Sequence, residues 1–175
     1  MHTVHALAVP VRLLILDVDG VLTDGQLYFT PAGEEIKAFN TLDGHGLKML
    51  QKSGVALAII TGRASGATEH RARALGIDHL YMGSEGKRAA FADLLARTGL
   101  DAAACAYVGD DVVDLPVMRQ VGFAVAVPAA PDIVRSHAHY VTGRHGGHGA
   151  VREVCELIMQ AQGTLDAALA PYLED

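Results

Sequence analysis

Six short apolar runs punctuate the chain: Leu13–Leu16, Val55–Ile60, His79–Tyr81, Ala106–Val108, Phe123–Val127 and Tyr140–Val141. Helix-like segments alternate with them, at Gly44–Lys52, Gly66–Leu75, Lys87–Thr98, Leu115–Val121, Pro131–Ser136 and Ala150–Gln162. Strands alternating with helices imply βαβ units, because neighbouring parallel strands need a crossover between them. Leu13–Leu16 and Val55–Ile60 contain no polar residue, as strands covered on both faces do. The expected fold is therefore α/β, a Rossmann-like doubly wound parallel sheet with helices on both faces.

With 175 residues, the chain has length for one domain with a full core. A single domain is expected over 1–175, with its core at 10–162 and a small, polar, mobile tail at 163–175. One segment interrupts the alternation: "GQLYFTPAGEEIKAFN", Gly25 to Asn40, has two strand-like runs around a turn signal and reads as a projecting β-hairpin.

Composition narrows the function. The longest aliphatic run, Val55–Ile60, is far short of the ~20 residues of a membrane helix. "MHTVHALAVP" has neither the cationic start nor the long apolar stretch of a secretory signal, so a soluble cytoplasmic protein is expected. A net charge of −6 without a Lys/Arg cluster argues against nucleic acid. Cys105 and Cys155 lack C-x-x-C spacing and read as reduced core residues.

In a doubly wound sheet, ligands bind beyond the carboxyl ends of the strands. Four such ends carry polar groups: Asp17 and Asp19 after the first strand, Thr61-Gly62-Arg63 after the second, Lys87 opening a helix, and "GDDVVD" at Gly109–Asp114. Asp17, Asp19, Asp110, Asp111 and Asp114 would crowd carboxylates at one edge, where they repel unless protonated or bridged by a cation. Mg²⁺ is the natural bridge, being a hard ion that takes oxygen ligands. A carboxylate beside Mg²⁺, faced by a lysine and a threonine hydroxyl, can attack phosphorus. A second carboxyl two residues on can protonate the leaving alcohol and later activate water.

"DVDGVLTDG", "ITGR", Lys87 and "GDDVVD", in that order, resemble the four motifs of haloacid-dehalogenase-type phosphatases. "GEEIKAFNTLDGHGLKML", "AYVGDDVVDLPVM", "VAVPAAPDIV" and "GGHGAVREVCELIMQAQG" are similar to the 3-deoxy-D-manno-octulosonate 8-phosphate phosphatases. The resemblance implies Asp17 as nucleophile, Asp19 as general acid/base, and Thr61 and Lys87 on the phosphoryl oxygens. It implies Mg²⁺ held by the Asp17 and Asp110 carboxylates and the Asp19 backbone carbonyl, with Asp111 and Asp114 supporting from behind.

Cap domains of larger relatives are inserted after the hairpin or after the lysine, and neither interval has room for one here. The resemblance implies a homotetramer in which hairpin 25–40 covers a neighbour's site. "GRHGGHGA", Gly143 to Ala150, then reads as a flexible closing segment whose Arg144, with His145 or His148, meets the carboxylate of a phosphorylated sugar acid. Leu42 and His148 stand where the family usually carries a basic residue and an arginine, which leaves a nine-carbon acylneuraminate-type 9-phosphate as the alternative substrate. Receiver domains combine the same residue types, but there the lysine follows the other motifs. A silent oligomerisation module would have no use for both Asp17 and Asp19.

Overall fold

The computed structural model describes residues 2–84 and 86–173. In chain order the elements are α1 (His2–Ala8), β1 (Leu13–Leu16), β2 (Tyr28–Phe29), β3 (Glu35–Ile36), α2 (Thr41–Lys52), β4 (Ala56–Ile60), α3 (Gly66–Leu75), β5 (His79–Tyr81), α4 (Lys87–Thr98), β6 (Cys105–Gly109), α5 (Leu115–Met118), β7 (Phe123–Ala126), α6 (Asp132–Arg135), β8 (Tyr140–Val141), α7 (Ala150–Ala161) and α8 (Leu165–Leu169). Every apolar run of the sequence becomes a strand, and β1 and β7 are buried along their whole length. Each large aliphatic side chain withdrawn from water in this way contributes about 1.5–3 kcal/mol.

The six core strands are parallel, in the order β5-β4-β1-β6-β7-β8. The chain builds outward from β1 to β5, then returns to lay β6 on the other side of β1. Right-handed crossovers put α2 and α3, before that reversal, on one face and α4, α5 and α6 on the other; α4 packs with α5, while α7, which follows the last strand, returns to pack on α2. The reversal opens a crevice between the carboxyl ends of β1 and β6, the place where such sheets bind ligands. Leu16 is in register with Val108 there, and the Asp17 amide donates to the Val108 carbonyl at 3.1 Å.

The hairpin is present as the antiparallel pair β2 and β3, with Tyr28 opposite Ile36 and Phe29 opposite Glu35. Helix α2 begins three residues before the expected Gly44, because the Asn40 side chain accepts from the Leu42 and Asp43 amides. Such a cap satisfies N–H groups that have no partner within the helix.

Both chain ends depart from expectation. Val4, Leu7 and Ala8 are spaced to form one helical face and pack on the core, so α1 forms where the sequence showed no element. Gln162 closes its C-terminal end by donating to the carbonyls of Ala8, Val9 and Val11. Likewise Leu165, Ala168 and Leu169 pack on the core from α8, inside the segment read as a mobile tail; three apolar contacts on one face outweigh the segment's small, polar composition. The core thus extends beyond 10–162 in both directions.

Helix α7 opens on Gly149, which offers no side-chain cap. The buried Asp43 carboxylate of α2 takes that role, accepting from the amides of Arg152 at 2.8 Å and Gly149 at 3.4 Å. Asp43→Ala is expected to cost about 1–2 kcal/mol, the range for a lost cap, read as a lower urea midpoint with an unchanged slope.

Candidate active site

Asp17 leaves β1 buried, its Oδ1 accepting from the Val18 amide at 2.7 Å and facing Lys87 Nζ at 3.0 Å. Lys87, the first residue of α4, is itself buried and reaches Asp114 Oδ1 at 2.6 Å and Tyr107 Oη at 3.3 Å. Burial works against its charge, but Asp114 and Asp17 outweigh that and hold the ammonium above its ordinary pKa. Tyr107, in the middle of β6, donates its phenol to Asp114 Oδ1 at 2.6 Å. Burial raises that phenol well above its usual value, so it stays a donor.

Asp114 is saturated. Its other oxygen accepts from the Asp110 and Asp111 amides at 2.9 and 3.1 Å, while Asp111 caps the following turn through the Val112 amide. Asp114 therefore ties the β6 exit to Lys87. Thr61, at the exit of β4, is buried, with its hydroxyl accepting from the Arg63 amide at 3.4 Å. A cavity of about 240 Å³ is lined by Asp17, Asp19, Thr61, Gly62, Arg63, Lys87, Asp110 and Asp111, joined by Gly25 and Val113.

Oxygens of Asp17, Asp110 and Asp114 lie within 4.8 Å of one another. Among the described residues no donor meets the Asp110 carboxylate. Burial first, then Asp17, Asp114 and Asp111, push its pKa up to about 8. Asp17 is raised by burial and by Asp114, with Lys87 pulling the other way. An oxygen cluster this frustrated, with no cysteine and no histidine in it, fits a hard divalent ion. The protein brings Asp110 close by means of Gly20: a β-carbon there would stand 1.9 Å from Asp110 Oδ2, and its φ of +87° suits glycine.

A family model for haloacid dehalogenase-like hydrolases matches residues 27–122, more than half the chain. The 3-deoxy-D-manno-octulosonate 8-phosphate phosphatase KdsC of Escherichia coli (strain K12) is 52% identical over 165 residues, covering 94% of this chain and 88% of that one. The chain belongs to the haloacid dehalogenase-like hydrolase family. A solved structure described as a probable yrbI family phosphatase from Pseudomonas syringae superposes with a TM-score of 0.98 at 51% identity, covering 100% of this chain and 99% of that one. The 3-deoxy-D-manno-octulosonate 8-phosphate phosphatase of Moraxella catarrhalis, solved with magnesium, phosphate and KDO, has a TM-score of 0.96 at 44% identity, covering 98% and 99%.

Within this haloacid dehalogenase-like site, the structure brings together nine of the ten residues singled out from sequence, Asp114 behind the cavity wall and the other eight on it. Arg144 is apart: its side chain lies over Gly149, and it lines neither the cavity nor the adjoining hollow of about 380 Å³. That hollow is bordered by Asp24, Gln26, Asp110, His145 and His148. The glycine-rich segment rests on its own chain, with the Gly147 amide donating to Val21 and the Asn40 amide group donating to the Gly147 carbonyl. Gly146 is packed so closely that a β-carbon would stand 1.8 Å from the Gly20 carbonyl.

Three residues of the site were missed. Tyr107 had a signal, since a phenol in a buried strand needs a partner. Glu35 and Lys37 had another: positions i and i+2 of an extended segment share a face. Lys37 pairs with both Asp19 and Glu35, and Arg63 completes the group, 3.3 Å from Glu35 and 3.8 Å from Asp19.

The raised Asp110 pKa gives a signed expectation for the metal-free protein. The folded state holds a proton that the unfolded state, with an ordinary carboxylate, releases near pH 4, so this contribution is lost as pH rises toward about 8. Chelated protein is expected to melt lower at pH 8 than at pH 6, and millimolar Mg²⁺ to narrow that gap by binding the folded state alone. Differential scanning calorimetry at the two pH values, with and without the ion, measures it.

Proposed function

We propose that the chain is a Mg²⁺-dependent phosphomonoesterase that hydrolyses 3-deoxy-D-manno-octulosonate 8-phosphate to the free sugar acid and phosphate through an aspartyl-phosphate on Asp17. The observation that carries this reading is Asp17 beside Lys87 in one cavity with Thr61, Asp19 and Asp110. The Moraxella catarrhalis relative, solved with magnesium, phosphate and KDO, supports the substrate class.

An Asp17 oxygen attacks phosphorus as the ester P–O bond breaks, and the departing alkoxide takes a proton from Asp19. Asp19, now a carboxylate, then removes a proton from water, whose oxygen attacks the aspartyl-phosphate and returns Asp17. Lys87 and the Thr61 hydroxyl hold the phosphoryl oxygens; Gly62 and Arg63 shape that wall. Mg²⁺ would be held by the Asp17 and Asp110 carboxylates and the Asp19 carbonyl, and when bound supplies positive charge against the developing phosphoryl charge. Asp111 and Asp114 set the loop that carries Asp110.

At about 240 Å³ the cavity is small for a whole sugar acid phosphate, and hairpin 25–40 shows Leu27, Tyr28, Phe29 and Ile36 to solvent. Exposed apolar side chains on a short two-stranded ribbon suit a protein partner. This supports a homotetramer in which the hairpin covers a neighbouring site, with His145 or His148, which border the adjoining hollow, meeting the sugar carboxylate and Arg144 joining them only if its side chain swings away from Gly149. The resemblance to the 3-deoxy-D-manno-octulosonate 8-phosphate phosphatases supports a cytoplasmic enzyme feeding lipopolysaccharide synthesis; no helix among the described residues is long and apolar enough to cross a membrane.

Phosphate release from the eight-carbon ester and from a nine-carbon acylneuraminate 9-phosphate, each with and without Mg²⁺, tests the reading. Metal-dependent turnover favouring the eight-carbon ester is expected. Preference for the nine-carbon ester would overturn the substrate, and release of phosphate from neither would overturn the chemistry.

A further inference from the structure

The two aspartates that leave β1 are anchored by different means. Asp17 is fixed by a backbone amide and by Lys87. Among the described residues no backbone amide donates to the Asp19 side chain, whose partners are Lys37 on Oδ1 and Arg63 on Oδ2. Arg63 is the looser of the two, at 3.8 Å and with its side chain 46% exposed. The Lys37 side chain is only 2% exposed. Its ammonium is in turn held by Glu35 at 2.8 Å, one alternating residue back along the hairpin strand.

Asp19, Lys37, Glu35 and Arg63 thus close a ring of alternating acidic and basic side chains that joins three chain segments: the β1 exit, the second hairpin strand and the β4 exit. A buried ammonium with two carboxylate partners is directionally strict, because its charge-assisted bonds cannot be replaced by water. A carboxylate hanging from a loop, by contrast, has two free torsions and no preferred aim of its own.

We propose that Lys37 is a positioning residue that aims the Asp19 carboxyl at the leaving-group oxygen, so that the hairpin base sets the geometry of proton transfer. This role rests on the phosphatase chemistry assigned above. Lys37 does not itself line the cavity; it acts through Asp19. Proton delivery matters for an alkyl ester, whose alkoxide leaves poorly, and little for an aryl ester such as p-nitrophenyl phosphate, whose phenolate leaves unaided. A fault in aiming Asp19 is therefore read in the contrast between the two.

The test compares kcat/KM, which reports steps through phosphoenzyme formation, for 3-deoxy-D-manno-octulosonate 8-phosphate and p-nitrophenyl phosphate in wild type, Lys37→Met, Lys37→Arg and Asp19→Ala. Lys37→Met is expected to lose about tenfold or more on the alkyl ester and less than about threefold on the aryl ester, a fraction of what general acid catalysis supplies. Lys37→Arg should recover most of the loss, and Lys37→Met combined with Asp19→Ala should lose no more than Asp19→Ala alone. Equal losses on both esters, or none on either, would overturn the role, because a merely structural lysine lowers both together. Circular dichroism melts of each variant identify one that has failed to fold; should Lys37→Met fail, Lys37→Gln, which also removes the charge, carries the same comparison of the two esters. A folded wild type that hydrolysed neither ester would overturn the phosphatase reading, and the role of Lys37 with it.

Discussion

Asp17→Asn is expected to lower phosphate release from 3-deoxy-D-manno-octulosonate 8-phosphate by at least about a thousandfold, as removal of a covalent nucleophile does. The amide keeps the size and the acceptor oxygen of Asp17, so the Val18 amide and Lys87 retain a partner. What disappears is the anionic oxygen that would attack phosphorus. Mass spectrometry of quenched turnover mixtures should show a phosphorylated species in wild type and none in the variant. Substantial phosphate release by the variant would mean that water attacks the ester directly and that Asp17 serves only to hold charge.

Lys87→Met is expected to reduce activity by about a hundredfold or more, since a donor on developing phosphoryl charge is worth about 3–4 kcal/mol. It should also weaken the fold. Removing one member of a buried ion pair leaves its partner's charge uncompensated and costs about 3–5 kcal/mol. Here Asp17 and Asp114 both lose their ammonium, and Asp110 stands beside them. That penalty can be relieved by protonation: Asp110 is already pushed up to about 8, and Asp17 is raised by burial. Urea unfolding of chelated protein at pH 5.5 and pH 8 should therefore show a smaller loss at the lower pH. A loss independent of pH would locate Lys87's contribution in packing of its stem.

The core elements and the edge that carries the chemistry were legible because they are written in local patterns. Apolar runs such as Leu13–Leu16 and Phe123–Val127 announce buried strands without reference to anything distant. Polar groups placed directly after such runs, Asp17, Thr61 and Asp110, had to meet at one edge once the strands were parallel. The misses share a different cause. Helix α1 owes its stability to Val4, Leu7 and Ala8 packing on the rest of the fold and to Gln162 closing its end. In isolation a helix of seven residues is too short to persist in water. Helix α8 has the same dependence on partners far away in sequence.

The sequence by itself determined the parallel α/β fold and the set of carboxylates, lysine and threonine at its functional edge, since periodicity and residue order specify which strand ends carry which groups. Only the tertiary structure decided how those groups are held. Asp114 spends both oxygens on Lys87, Tyr107 and two amides, Lys37 reaches Asp19 from the hairpin, and Asp43 caps a helix more than a hundred residues away. Those pairings depend on distances of a few ångströms between segments remote in the chain, and such distances are set by how layers pack and strands register.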